Sequence, residues 1–208
     1  MGRPMRVVGV TGMPGSGKSE AMKVAHKMEF PVVRMGDMIW AETEAQGLPR
    51  DAEHVGKVAS AMREEHGDDI WALRTVKKVQ EHQAEPAPEA HDHHRAANKI
   101  VLIDGIRSNH EVEVFRRELG TDFILVAIHT DPDERYDRLT ARGRDDDPAD
   151  VEGHQARDQR ELNWGLARTI AMADEMLVND CALEEFHAQV EGLLDRIAES
   201  DRVQPILD

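Results

Sequence analysis

Along the chain, short apolar runs alternate with longer stretches in which apolar residues recur every three or four positions. Runs of the first kind read as strands buried on both faces, and the stretches between them as helices packed on a sheet. Together they predict βα units that build a parallel sheet with helices on both sides, an α/β/α arrangement. The predicted strands are 6–11, 31–34, 99–103, 122–129 and 175–178. Ala21, Val24, Ala25 and Met28 share one face of the first predicted helix, which ends before Pro31.

Residues 36–83 carry no strand pattern but three helix-like pieces, which predicts a helical insertion that closes over an acceptor. Asp51 caps the middle piece, whose Val55, Val58, Ala59 and Met62 line one face before Gly67 ends it. The next piece presents Ile70, Leu73, Val76 and Val79. Residues 84–98 are rich in Pro, Ala, His and charge without an apolar face, which reads as an exposed loop. His91, His93 and His94 lie in it, but no second ligand cluster stands at a metal-site spacing, and solvation accounts for them better.

In the second half, Asp131-Pro132-Asp133-Glu134 supplies a cap, a first-turn proline and an acidic third residue, so a helix starts there and runs to Arg142. Gly143 breaks it. Asp147-Pro148 repeats the start signal for a second charged helix through about Trp164. Residues 131–164 thus predict a helical hairpin, or lid. Leu183, Phe186, Val190, Leu193, Leu194 and Ile197 form a final stripe that docks on the sheet.

Directly after the first predicted strand stands Gly12-Met13-Pro14-Gly15-Ser16-Gly17-Lys18-Ser19, a complete G-x-x-x-x-G-K-[ST] loop. A phosphate chain needs several backbone N–H groups pointing inward at once, and a glycine-rich turn is what permits it. Lys18 reaches the outer phosphates, the Ser19 hydroxyl is placed for Mg²⁺, and the following helix aims its positive end at the anion. The expected ligand is a nucleoside triphosphate with magnesium.

Asp104 follows the apolar run Val101-Leu102-Ile103, so it sits at the carboxyl edge of a parallel sheet, where ligands collect. It is the candidate to hold Mg²⁺ with Ser19. Arg107 is placed to pair with an acceptor phosphate through its planar fork. Gly36-Asp37 also follows a strand, and Asp37 either orients or deprotonates an acceptor hydroxyl, or caps the helix from Met38 onward. Arg135, Arg138, Arg142, Arg144, Arg157 and Arg160 concentrate positive charge in the hairpin. Arg142 and Arg144 are the chosen catalytic contacts, with Arg160 next, while pairs such as Glu134–Arg138 read as solvated helix faces.

Composition narrows the class of partner. A net charge of −15 with Arg favoured over Lys repels long nucleic acid and resembles the composition of proteins from salt-loving archaea. No apolar stretch is long enough for a bilayer, no signal-peptide pattern opens the chain, and Arg6 stands where a myristoylation motif wants Ser or Thr. A cytoplasmic protein without a membrane partner is expected. Cys181 stands alone, so no internal disulfide forms.

With these residues the chain resembles the nucleoside-monophosphate-kinase branch of P-loop proteins, both adenylate kinases and dephospho-coenzyme A kinases. Met35-Gly36-Asp37-Met38-Ile39 is similar to the acceptor segment of adenylate kinases, and Asp104-Gly105-Ile106-Arg107 and Arg142-Gly143-Arg144-Asp145-Asp146 to their later motifs. Ile106-Arg107 departs from the adenylate-kinase spacing, which argues against AMP as acceptor. Residues 10–19 and 101–108, with Glu161-Leu162-Asn163-Trp164-Gly165, resemble an archaeal family of predicted P-loop kinases. The resemblance implies a five-stranded sheet in the order 2-3-1-4-5, an acceptor lobe holding Gly36, Asp37 and Arg107, an arginine lid, and ATP as the nucleotide, with GTP also open. Residues 173–180 resemble the late strand of dephospho-coenzyme A kinases, which makes Asn179 a candidate for base contact. Two activities remain in view: phosphoryl transfer from ATP to a small nucleotide-like or coenzyme-precursor acceptor, and a nucleotide-dependent switch acting on a protein partner.

Overall fold

Five parallel strands, in the order β2-β3-β1-β4-β5, form the sheet in the computed structural model, which describes residues 5–84, 100–142 and 150–200. They are β1 (Arg6–Thr11), β2 (Val32–Arg34), β3 (Ile100–Asp104), β4 (Phe123–His129) and β5 (Glu175–Val178). The helices are α1 (Lys18–Lys27), α2 (Met35–Ala45), α3 (Ala52–His66), α4 (Ile70–Ala84), α5 (Asn109–Leu119), α6 (Pro132–Arg142), α7 (Val151–Asn163), α8 (Leu166–Ala171) and α9 (Leu183–Glu199).

Strand alternation sorts the core into two layers. Val7, Val101, Ile103, Phe123 and Leu125 face one way and meet Met35, Met62, Trp71, Val76, Val112 and Phe115 from α2, α3, α4 and α5. Val8, Val10, Leu102, Ile124 and Ile128 face the other way and meet Met22 and Ala25 of α1 and Phe186 and Leu194 of α9. The three-layer fold and the strand order are those expected. So are the Asp51 cap, which accepts from the His54 amide at 2.9 Å, and the end of α3 at Gly67, with φ 93°.

Several expectations shift. α2 begins at Met35 with Arg34 at its N-cap, so Asp37 lies inside the first turn and is not a cap. α4 buries Trp71, Ala72, Thr75, Val76 and Val79 and leaves Leu73 exposed; the large indole, whose Nε1 donates to Ala59 O at 3.2 Å, sets the helix rotation. Leu183 opens α9 but is 51% exposed, so the docked stripe starts at Phe186. α7 is capped by Asp150, which accepts from Gly153 N at 2.8 Å. Gly143 and Asp147-Pro148 lie outside the described residues, as do residues 85–98 of the expected loop with its histidines. α5 was not anticipated, although Ser108 and Glu111 form a reciprocal capping box ahead of buried Val112 and Phe115.

Among the described residues no helix is long and apolar enough to cross a membrane.

Trp71 joins α4 to α3 and the sheet, with 1% of its surface exposed. Trp71→Ala is expected to lower unfolding free energy by about 3–5 kcal/mol, read as a reduced denaturant midpoint.

Candidate nucleotide and acceptor site

The chain leaves β1 and enters α1 through Gly12-Met13-Pro14-Gly15-Ser16-Gly17, and the tightness of that turn explains its glycines. Gly12 has φ 146°, and a Cβ there would stand 2.4 Å from Ile128 O; Gly17 has φ 106°, and a Cβ there would stand 2.3 Å from Asn179 Nδ2. Neither position accepts a side chain without moving its surroundings.

Buried donors hold the loop's carbonyls outward. Asn179 Nδ2 donates to Ser16 O at 2.9 Å, and Thr130 Oγ1 lies 3.0 Å from the same oxygen. Arg135 donates to Pro14 O at 3.0 Å while both its terminal nitrogens bind Asp158 of α7, at 3.0 and 2.6 Å. The loop amides of Gly15, Gly17, Lys18 and Ser19 donate to no protein acceptor among the described residues. Ser16 Oγ is buried without a partner among the described residues. Such a cradle of free amides suits a polyphosphate.

Lys18 Nζ donates to Gly12 O at 2.6 Å and to Met13 O at 3.0 Å. Its side chain keeps some exposed surface, yet protein packs densely around it, and this desolvation pushes the ammonium down to about 8. The carboxylates of Asp104 and Glu161 oppose that shift, while Arg107 and Arg157 add to it. Asp104 ends β3 opposite Val10, with Arg34 Nε 3.9 Å from its carboxylate. Ser19 is exposed in the first turn of α1. Among the described residues no three His, Cys, Asp or Glu side chains cluster as a metal cage. One hydroxyl and one carboxylate beside a phosphate cradle instead fit Mg²⁺ that takes further oxygens from a nucleotide.

Arg107 donates to Glu161 at 3.2 Å and lies over the Trp164 ring at 5.5 Å. Glu161 is buried, so this pairing offsets the cost of placing a carboxylate inside the protein. Gly36 and Asp37 occupy the first turn of α2; a Cβ on Gly36 would meet nothing within 4 Å. Met13, Pro14 and Gly15 complete the loop.

The hairpin arginines divide into separate roles. Arg135 is 5% exposed and braces the loop, and Arg138 pairs with Glu134 at 2.8 Å as expected while also donating to Asn179 O. Arg157 lies within the electrostatic reach of Lys18, Arg160 is exposed, and Arg142 is exposed at the end of α6. Arg144 lies outside the described residues. Asn179 is 6% exposed, and its Nδ2 donates to the loop backbone. Sequence reasoning does not single out Arg34, Thr130 and Asp158, nor the burial of Glu161. No local pattern marks them, since the bonds by which they brace the loop and hairpin, such as Arg135–Asp158 and Thr130–Ser16, join residues 23 and 114 positions apart.

Comparison with known proteins places this geometry. The AAA domain family matches residues 11–153. A UPF0200 protein of Thermococcus onnurineus (strain NA1) is 43% identical over 192 residues, covering 92% of this chain and 97% of that protein. A UPF0200 protein of Methanoregula boonei is 42% identical over 190 residues, covering 91% and 96%. Among solved structures, a gluconokinase from Sinorhizobium meliloti 1021 aligns with TM-score 0.53 and 16% identity over 94% of each chain. Shikimate kinase from Acinetobacter baumannii in complex with shikimate aligns with TM-score 0.52 and 14% identity over 93% of each chain. At such identities the likeness is one of fold.

A triphosphate beside Lys18 favours its charged form and returns its pKa toward the ordinary lysine range. Above about pH 8 the free protein has lost that proton, so binding must take one up, and affinity falls as pH rises from there. Calorimetry of Mg-ATP at pH 9 in buffers of different ionisation enthalpy is expected to show uptake approaching one proton, and Lys18→Met is expected to remove it.

Proposed function

The chain belongs to the UPF0200 family, and on that footing we propose that it is an ATP-dependent, kinase-like phosphotransferase acting on a small nucleotide-like or coenzyme-precursor acceptor. The observation that carries this reading is the cradle of unbonded amides around Lys18, with the charges of Asp104, Glu161, Arg107 and Arg157 within electrostatic reach of its ammonium. The kinase-like neighbours support the same class of chemistry.

In this reading Gly12, Met13, Pro14, Gly15, Ser16 and Gly17 enclose the phosphates and Lys18 faces the outer ones. Ser19 and Asp104 would hold Mg²⁺, which when bound offsets charge on the phosphate oxygens. Asn179 keeps the nucleotide side of the site in shape through Ser16. An acceptor oxygen attacks the γ-phosphorus, the bond to the β–γ bridging oxygen breaks, and ADP leaves. Where the acceptor is a hydroxyl, Asp37 takes its proton. Gly36 leaves room for the acceptor, Arg107 binds its anionic group, and residues 36–83 form the acceptor lobe. Residues 131–164 close as a lid that delivers Arg142 and Arg144. Kinship with the adenylate and dephospho-coenzyme A kinase branch, use of GTP, an acidic surface suited to high salt and a cytoplasmic location all belong to this reading.

One observation favours a second reading, the nucleotide-dependent switch. Arg107 is engaged by Glu161 of α7 and by Trp164, so a ligand that draws it away leaves the buried Glu161 carboxylate without this partner and favours a shift of the hairpin. A partner protein that recognises the moved hairpin would make the chain a regulatory ATPase.

ADP formation from Mg-ATP with a panel of nucleoside monophosphates, dephospho-coenzyme A and nucleosides, in molar KCl, separates the two. Acceptor-dependent turnover is expected, and hydrolysis that only a protein partner accelerates would favour the switch. Lys18→Ala and Asp104→Asn are each expected to lower turnover by roughly 100-fold or more, because each removes charge stabilisation at the transferring group.

A further inference from the structure

Among the described residues Glu161 is the one buried acid, 6% exposed. Its hydrogen-bond partner among them is a single nitrogen, Nη1 of Arg107 at 3.2 Å, and the Arg107 side chain is itself 53% exposed. Asp158, one turn earlier on α7, is matched by both terminal nitrogens of Arg135, a buried side chain. A half-exposed partner at best offsets the cost of burying a carboxylate, so the Arg107–Glu161 pair adds little to stability. What the pair does is fix the arginine.

Arg107 is held from several sides. Its backbone N–H donates to Glu111 of α5 at 2.8 Å, and the Ile106 carbonyl just before it accepts from the Thr11 hydroxyl at 3.0 Å. Thr11 ends β1 directly ahead of Gly12, so this bond sets the turn after β3 against the phosphate loop. The side chain meets the hairpin, where Glu161 holds one terminal nitrogen and the guanidinium lies over the Trp164 ring at 5.5 Å. α7 is itself placed by Asp158, on the face it shares with Glu161, through Arg135 to Pro14 O. Backbone and side chain of Arg107 are thus both referred to the phosphate loop. Its remaining guanidinium N–H groups donate to none of the described residues. A long side chain ordered before any ligand arrives, with donors to spare, is a preorganised site for an anion.

We propose that Glu161 and Trp164 are positioning residues: from the hairpin they hold Arg107 ready for the anionic group of the acceptor, and they keep that hold when the anion arrives. The inference rests on the kinase reading, in which Arg107 binds that group, and deepens it by giving the hairpin a part in acceptor binding. It runs against the switch, in which a ligand draws Arg107 away from Glu161.

The test uses full-length protein saturated with Mg²⁺ and a non-hydrolysable ATP analogue, so that the phosphate loop is filled. Inorganic phosphate is the probe, and its Kd is read from the ³¹P resonance. Arg107→Ala is expected to weaken its binding roughly 10- to 100-fold, as loss of a charged hydrogen bond implies. Glu161→Ala and Trp164→Leu each release the side chain and are expected to weaken it roughly 3- to 10-fold, the cost of ordering one long side chain on binding. Trp164 is 54% exposed, so its replacement leaves the core intact. Glu161→Gln keeps an oxygen for Nη1 and is expected to stay within about 2-fold of wild type, and Glu161→Ala to add nothing further in the Arg107→Ala background. Glu161 is negative, so if it acted through charge alone its removal would strengthen phosphate binding. Equal or tighter binding by Glu161→Ala and Trp164→Leu would overturn the proposal. So would effects of Arg107→Ala and Glu161→Ala that simply add, or phosphate binding that is absent from the wild type or indifferent to Arg107→Ala. Turnover with the acceptor panel checks the kinase reading separately: Glu161→Ala is expected to raise acceptor KM by the same factor, with kcat kept within about 2-fold. Absence of acceptor-dependent ADP formation would sink that reading while leaving Arg107 a preorganised anion site.

Discussion

A phosphate cradle needs its backbone amides free, and free amides exist only if the carbonyls beside them are satisfied elsewhere. In this protein that burden falls on Asn179, Thr130 and Arg135, which take up the outward-facing oxygens of Ser16 and Pro14. Buried polar groups left unpaired would cost more than the loop's glycines save. The sheet order serves the same constraint, because β4 and β5 lie on the side of β1 from which Thr130 and Asn179 can reach across. Arg135 then binds Asp158, so the brace under the loop also anchors α7. Loop shape and hairpin position are thereby parts of one hydrogen-bonded unit.

The electrostatics of the site follow from this packing. Lys18 sits in a dense surround where its charge is disfavoured, and two acids and two arginines of opposite effect flank it. A group so poised gains most when an anion arrives, since the anion's field returns the charge that burial suppressed. The strongly acidic chain elsewhere repels polyanions, which leaves this cleft and its arginines as the attractive region for a small one.

Much of the fold was legible in the sequence because it rests on local pattern. The apolar runs placed each strand to within a residue or so, the P-loop motif fixed the β1–α1 turn, and Asp51 and Gly67 bounded α3. What escaped depends on distant packing. Leu73 was assigned inward because periodicity cannot tell which of two adjacent stripes a bulky Trp71 will claim. The cap alternative for Asp37 falls away because α2 follows β2 without a loop, which is invisible in sequence. Of the site, Lys18, Ser19 and Asp104 announced themselves by motif or strand end, whereas the Arg107–Glu161 pair and the Arg135–Asp158 brace join segments far apart in the chain.

The bond between Ser16 and Asn179 spans 163 positions. A nascent polypeptide emerging from the ribosome therefore displays its entire glycine-rich motif long before the residue that gives the motif its shape has been synthesised. The braced form of the loop thus waits on the joining of β5, because Asn179 follows directly on that strand.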